Sequence, residues 1–122
     1  MIALCLAKLS FAQRNFREGY IISNAGDTLF GFVDYTEGRQ MYRVCHYKKT
    51  DDQKIVTYEP GQIAAFGFFE NIFFESKEVK VENQQDRRAL AEVKVKGFVS
   101  LFRIDYEYYV EKNNGGLQRL SK

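Results

Sequence analysis

Two carboxylates near the end of the chain have a spacing that suits acid–base chemistry. Asp105 and Glu107 lie two residues apart, so on one β-strand their side chains would share a face at about 6–7 Å. Glycoside hydrolases hold a pair of carboxyl groups about 5–10 Å apart, one of which donates a proton to the leaving group. Arg103 and Glu111 would share the same face, which is typical of a solvated sheet surface. A hydrolase that uses Asp105 and Glu107 is therefore an alternative, and a solvated surface is the favoured interpretation.

The single histidine gives little support for metal binding or nucleophilic catalysis. His46 follows Cys45 directly, and adjacent residues of a strand point to opposite faces, so the two side chains would not share an ion. The sequence has no Cys-x-x-Cys spacing, no Gly-x-Ser-x-Gly elbow and no Gly-x-x-x-x-Gly-Lys phosphate loop. We therefore predict no metal, no cofactor and no catalytic residue, and hence a protein that is not an enzyme.

The first twelve residues have the composition of the end of a secretory signal peptide. Residues 1–12 read MIALCLAKLSFA, and Ser10-Phe11-Ala12 before Gln13 matches a small-x-small cleavage pattern. The segment is shorter than a complete signal peptide, which favours a start placed too far downstream; an N-terminal strand or helix of a cytosolic protein is the alternative. We expect a clipped signal peptide over 1–12 and a single domain over 13–122. No transmembrane segment is expected, since twelve residues cannot span about 30 Å of hydrocarbon.

The two cysteines, Cys5 and Cys45, are not expected to form a disulfide with each other after export. Cys5 lies in the segment that we expect to be removed, which would leave Cys45 alone. The neighbours Val44, His46 and Tyr47 are typical of a strand. We therefore expect Cys45 to be buried and inert, with pairing between two chains as the alternative.

Composition and charge exclude some classes of protein. Hydrophobic residues make up 45% of the chain, so wholesale disorder is not expected, and the 11 Phe and 8 Tyr favour strands. The 18 basic and 16 acidic residues are interspersed and give a formal net charge of +2. Because no basic arm or clustered basic face is evident, we expect no nucleic-acid partner.

Short strands separated by turns are predicted along most of the chain. Residues 41–47 form one β-rich run, and residues 89–95 alternate apolar and polar side chains as a half-buried strand does. Residues 98–110 predict either one long strand or a hairpin that turns near Asp105. No stretch of about twelve residues has a competing helical period. The fold class is therefore all-β: a mostly antiparallel β-sandwich or a small partly open barrel of eight to ten short strands.

The most apolar stretch, residues 66–74, is rich in phenylalanine, and Glu70-Asn71 in its middle predicts a tight hairpin. Consecutive phenylalanines on a strand face opposite sides of the sheet, so one of each pair needs cover from outside the main core. Packing within one chain is the favoured interpretation, a partner or homodimer surface is the next, and an apolar-ligand site is the last. The candidate interaction surface comprises Phe66, Phe68, Phe69, Phe73 and Phe74.

Several strand and turn motifs lie along the chain after the first segment. They are Phe11-Ala12-Gln13, residues 19–22, 26–28, 31–35 and 93–102, and residues 109–112 before the Asn-Gly-Gly turn. These motifs resemble those of a group of small exported proteins from Bacteroidota. The resemblance covers most of the chain after residue 12, and it implies export and β structure but no catalytic residues.

Together these features predict a non-enzymatic protein of the periplasm, the cell envelope or the extracellular medium. Its expected role is to bind a protein partner or to assemble with itself. A carrier of a small apolar or sugar ligand is an alternative, although the absence of Trp argues against a sugar. The hydrolase with a carboxylate pair is the third interpretation.

Overall fold

Ten β-strands dominate the described part of the chain, as the alternation of apolar and polar residues predicts. The computed structural model describes residues 15–36, 39–50, 54–80, 87–97, 99–112 and 116–120; the predicted signal segment, residues 1–12, lies outside them. One short 3₁₀ helix spans Arg39–Tyr42. The strands are β1 Phe16–Ile22, β2 Thr28–Asp34, β3 Cys45–Lys48, β4 Val56–Tyr58, β5 Ala65–Phe68, β6 Ile72–Lys80, β7 Arg87–Val95, β8 Val99–Ile104, β9 Glu107–Lys112 and β10 Leu117–Arg119.

Five of the strands close into a small barrel. Strands β6 to β10 pair in sequence order, each antiparallel to the next, and β10 returns to pair parallel with β6. Leu117 lies opposite Val79 in this closing pair. Apolar side chains that alternate along the strands fill the barrel and form the first core. They are Val79, Ala89, Ala91, Phe102, Ile104, Tyr109 and Leu117.

The other five strands extend the sheet from the first half of β6. The order outward from β6 is β5, β1, β2, β3 and β4, and Phe66 of β5 lies opposite Phe74 of β6. One face of this extension carries a second core, which includes residues of the barrel's outer face. The second core comprises Ile21, Val33, Met41, Cys45, Tyr47, Ile63, Phe66, Phe68, Phe74 and Leu90.

Strand β7 separates the two cores, which corrects the prediction of a half-buried strand over 89–95. Ala89 and Ala91 belong to the barrel core, and Leu90 between them is fully buried in the second core. Both faces of the strand are therefore covered at this point. Val95, predicted on the buried face, is 54% exposed, because a register shift between Val93 and Val95 places it opposite Leu101 rather than on the face of the buried Phe102.

The all-β prediction is confirmed, and so is the hairpin alternative for residues 98–110. Strands β8 and β9 pair antiparallel around a turn at Asp105, which has a φ of 60°. Asparagine and aspartate tolerate this left-handed conformation better than most residues. In the described ranges, no helix is both long and apolar enough to cross a membrane.

Candidate interaction surface

The five phenylalanines of residues 66–74 do not form one surface. Phe66, Phe68 and Phe74 are 0%, 2% and 3% exposed and belong to the second core. Phe69 begins the turn between β5 and β6 and is 62% exposed, and Phe73 is half-buried on the opposite face of the sheet from Phe74. The alternation therefore places one member of each consecutive pair outside the core, and only Phe69 and Phe73 are available to a partner.

The exposed members join two aromatic residues from earlier strands. Tyr20 of β1 lies opposite Phe30 of β2 in the strand register, and their ring centroids are 6.2 Å apart. Tyr20 also contacts Phe69 at 5.9 Å and Phe73 at 6.3 Å, and Phe30 stacks on Phe69 at 6.1 Å with an interplanar angle of 13°. We call Tyr20, Phe30, Phe69 and Phe73 the aromatic surface.

A glycine in β5 allows the central ring to lie across the sheet. Gly67 sits between Tyr20 of β1 and Phe73 of β6 in the register. A Cβ atom at Gly67 would stand 2.6 Å from the Tyr20 Oη and 2.8 Å from its Cζ. Because Gly67 has no side chain, Tyr20 reaches over β5 and stacks on Phe73, which makes a continuous aromatic row over three strands.

Tyr20 and Phe30 were not predicted as part of the interaction surface, although the sequence contains a sign of their proximity. Tyr20 and Phe30 lie in β-rich runs that flank a turn, so hairpin pairing alone places them near each other. The adjacency of β1 and β5, which brings Tyr20 to Phe73, is a long-range pairing that no local pattern shows.

Three charged side chains beside the aromatic surface are paired within the chain. A shallow cleft next to Phe69 and Phe73 is bordered by Lys94 and Lys96, and Glu70 follows Phe69 in the turn. Each of these three charged groups has a partner of opposite sign. The ion pairs are Arg17–Glu70 at 3.6 Å, Lys94–Glu92 at 3.2 Å and Lys96–Glu75 at 2.8 Å.

The predicted carboxylate pair does not lie on one strand. Asp105 is in the β8–β9 turn and Glu107 begins β9, so the shared strand face from which their spacing was inferred is absent. Asp105 pairs with Arg39 at 3.3 Å, and Glu107 pairs with Arg119 at 2.8 Å. Both carboxylates are therefore engaged with guanidinium groups, although both border one cleft at this end of the barrel.

Cys45 and His46 point to opposite faces of β3, as predicted. Cys45 is 1% exposed in the second core, and the His46 Nδ1 lies 2.8 Å from the Thr57 Oγ1. Within the ranges that the structure describes, no group of three His, Cys, Asp or Glu side chains could hold a metal ion.

The Cys45 thiol is expected to be unreactive in the folded protein. Burial, with a smaller contribution from the Asp34 carboxylate, raises the pKa of Cys45 from 9.0 to about 12, and the thiolate is the reactive form. In a Cys5→Ser variant, we expect no reaction with a disulfide reagent at pH 8 until urea unfolds the chain, when one thiol reacts. Rapid labelling without denaturant would contradict the burial of Cys45.

The same shift gives a direction for stability against pH. Because folding raises the pKa of Cys45, the stability that the protonated thiol contributes is fully present below about pH 9 and is lost as the pH rises towards 12. Burial also raises the pKa of Tyr20, Tyr47 and Tyr109, which acts in the same direction.

No protein-family model matches the sequence, and neither a curated protein nor a solved structure matches the chain. The aromatic surface is therefore interpreted from its own geometry. Of the four side chains, only Tyr20 is ionisable, and burial raises its pKa, so it is neutral at physiological pH. The aromatic surface therefore offers apolar contact and one hydroxyl group, which suits binding better than acid–base chemistry.

Proposed function

We propose that the protein is an exported, non-enzymatic binding module that docks a protein partner on the aromatic surface. The observation that carries the proposal is the stacked pair Phe30 and Phe69, two neighbouring rings that are each 62% exposed. Aromatic side chains are enriched at the centres of protein interfaces and among the residues that dominate binding energy. The signal-like residues 1–12 support export to the periplasm, the envelope or the medium.

The paired charges favour a protein over a lipid surface as the occupant. Proteins that bind anionic membranes present unpaired lysines and arginines around their apolar residues. Here Lys94, Lys96 and Glu70 are each in an ion pair, so the aromatic surface has a polar but locally neutral rim. An apolar centre with such a rim is the usual anatomy of a protein interface.

The position of the rings disfavours the small-ligand alternative. Carrier proteins bury about 70–90% of a small ligand's surface inside a cleft or cavity. Phe30 and Phe69 instead lie on the open face of the extended sheet and at its adjoining turn, mostly exposed. A flat aromatic row fits the apolar side chains of a partner protein better than an enclosed small molecule.

Site-specific crosslinking tests this proposal. A photoreactive benzoylphenylalanine at position 69 is expected to crosslink one protein in the native host, whereas the same group at position 106 is expected to crosslink none. Tyr106 is a matched control because it is an aromatic residue at a turn and is 85% exposed. The crosslinked protein would be identified by mass spectrometry, purified and titrated by calorimetry.

The double variant Phe30→Ser/Phe69→Ser is expected to weaken that titrated affinity by about 100-fold, since two aromatic contacts of about 1.4 kcal/mol or more are lost. Tyr106→Ser should leave the affinity unchanged. Both substitutions are at exposed sites, and urea denaturation would verify that the fold is intact. The proposed partner would be overturned by equal crosslinking at positions 69 and 106, or by an affinity that the double variant leaves unchanged. It would also be overturned if this chain formed a dimer that the double variant dissociates.

A further inference from the structure

A second site lies at the end of the barrel where β8 turns into β9. A cleft of about 610 Å³ opens there between the 3₁₀ helix, the loop before β5, the start of β7 and the β8–β9 turn. This volume is in the range of small-molecule binding sites. The cleft is separate from the aromatic surface and shares no lining residue with it.

Four arginines line this cleft, and their charge is not balanced by its carboxylates. Arg39 pairs with Asp105, and Glu107 pairs with Arg119 from the neighbouring strand. Within the described residues, the remaining three arginines have no ion pair, and Glu59 is the one remaining acidic side chain of the lining. Three arginines, Arg43, Arg87 and Arg88, therefore stand against one carboxylate, Glu59, which leaves a surplus of two positive charges in the lining.

Two of the surplus arginines, Arg87 and Arg88, lie at exposed positions at the start of β7. Arg88 lies over Gly61, where a Cβ atom would stand 2.6 Å from the Arg88 Nη1. Gly61 itself is fixed, because its N–H donates to the Ser76 Oγ at 2.5 Å and its carbonyl accepts from the Asn24 Nδ2 at 2.9 Å. Burial raises the pKa of Tyr109, and the nearby Arg87 guanidinium opposes that shift.

The floor of the cleft is apolar between these charges. Ile104 and Tyr109 are buried at 5% and 1% exposure, and half-buried Tyr42 and Pro60 complete the surface. A ligand that fits both parts of the lining needs an anionic group for the arginines and a flat or apolar body for the floor. A phosphate monoester carries about −1.5 to −2 charge at pH 7, which complements the surplus.

We propose that this cleft binds an organic phosphate monoester, with the phosphate held by Arg43 and Arg88, while Arg87, which points to the other face of β7, adds positive charge at the rim. Guanidinium groups bind phosphate oxygens through paired, charge-assisted hydrogen bonds, which gives them an advantage over lysine at such sites. This binding activity is independent of the aromatic surface, so Phe30→Ser/Phe69→Ser should leave it intact.

Calorimetric titration of the full chain with phenyl phosphate, at constant ionic strength and pH 7.5, tests the assignment. Phenyl phosphate is expected to bind at one site and more tightly than inorganic phosphate, because its ring contacts the apolar floor. Arg43→Gln and Arg88→Gln should each weaken binding about tenfold, the loss of one charge-assisted hydrogen-bonded contact. Arg43→Lys should weaken binding less than Arg43→Gln does, since lysine keeps the positive charge but lacks the paired N–H donors of the guanidinium group.

Lys112→Gln is the matched control for net charge. Lys112 ends β9 at the opposite end from Glu107, and its removal changes the charge of the protein by the same amount. It should leave the affinity within about twofold. Absence of saturable phenyl phosphate binding, or an equal loss in the Lys112→Gln and Arg43→Gln variants, would overturn the proposal. Urea denaturation of each variant would separate loss of binding from loss of fold.

Discussion

Replacing Phe66 with alanine is expected to lower the free energy of unfolding by about 3–5 kcal/mol, the range for truncating a buried phenylalanine. Phe66 is 0% exposed, its ring stacks on Phe74 at 4.7 Å with an interplanar angle of 4°, and it meets Phe68 edge-on at 6.2 Å. The substitution removes the ring from the centre of the second core and leaves a cavity that neighbouring strands cannot fill. Urea denaturation followed by circular dichroism measures the change.

Phe30→Ala is the matched control for this prediction. It removes the same atoms from a ring that is 62% exposed, so its effect on unfolding should be near 0.5 kcal/mol or less. Its effect on the proposed partner affinity should be large, whereas Phe66→Ala should act only through stability. Equal destabilisation by the two substitutions would contradict the division of the phenylalanines between core and aromatic surface.

The division of the phenylalanines between core and aromatic surface shows what a local sequence pattern can and cannot predict. Alternation predicted that one of Phe68 and Phe69, and one of Phe73 and Phe74, lies outside the main core. It did not predict which member, because a one-residue change of register exchanges the two faces. The turn at Phe69–Asn71, where Asn71 has a φ of 65°, fixes the register and exposes Phe69.

The strands and turns were largely predictable, but the way in which the strands associate was not. Closure of the barrel depends on β10, which pairs parallel with β6 through Leu117–Val79 and Gln118–Lys80. These partners are far apart in sequence, so neither segment carries a local sign of the other. The 3₁₀ helix at Arg39–Tyr42 also replaces the start of the strand predicted over 41–47, because Met41 is drawn into the second core.

The arginine-lined cleft could not be found from sequence for the same reason. Arg43 lies more than 40 residues before Arg87 and Arg88 in the chain, and the three arginines belong to no motif. What unites them is the end of the barrel, where the 3₁₀ helix packs against β7. Asp105 and Glu107 were singled out from their spacing, and their ion pairs with Arg39 and Arg119 were visible only in three dimensions.

The second large effect is expected at an ion pair on the interior side of the barrel. Glu111 shares a strand face with the buried Tyr109, and its side chain is 9% exposed. The Lys77 Nζ lies 3.0 Å from both carboxylate oxygens of Glu111 and 5.2 Å from the Phe102 ring centroid. Among the described residues, Glu111→Leu would leave the Lys77 ammonium, 18% exposed, with one carboxylate partner, the more distant Glu75 at 3.6 Å.

We expect Glu111→Leu to lower the free energy of unfolding by about 3 kcal/mol, because a buried charge that loses its partner keeps its desolvation cost. The residual contact with Glu75 places the value at the lower end of the usual range. The exposed pair Arg119–Glu107 is the matched control: its 2.8 Å distance is shorter, but its side chains are 54% and 49% exposed. Arg119→Gln should cost about 0–1 kcal/mol, since solvent screens such pairs.

A double-mutant cycle separates the ion pair from the space that it fills. In Lys77→Met/Glu111→Leu, both charges are replaced by apolar side chains of similar length, and Glu75 keeps its 2.8 Å ion pair with Lys96. The double variant should be at least as stable as either single variant, with a coupling energy of about 1–3 kcal/mol. Strictly additive losses would mean that the two side chains act independently and that packing, rather than charge pairing, determines the cost at Glu111. A coupling near zero in urea denaturation would therefore contradict the buried pair as a unit.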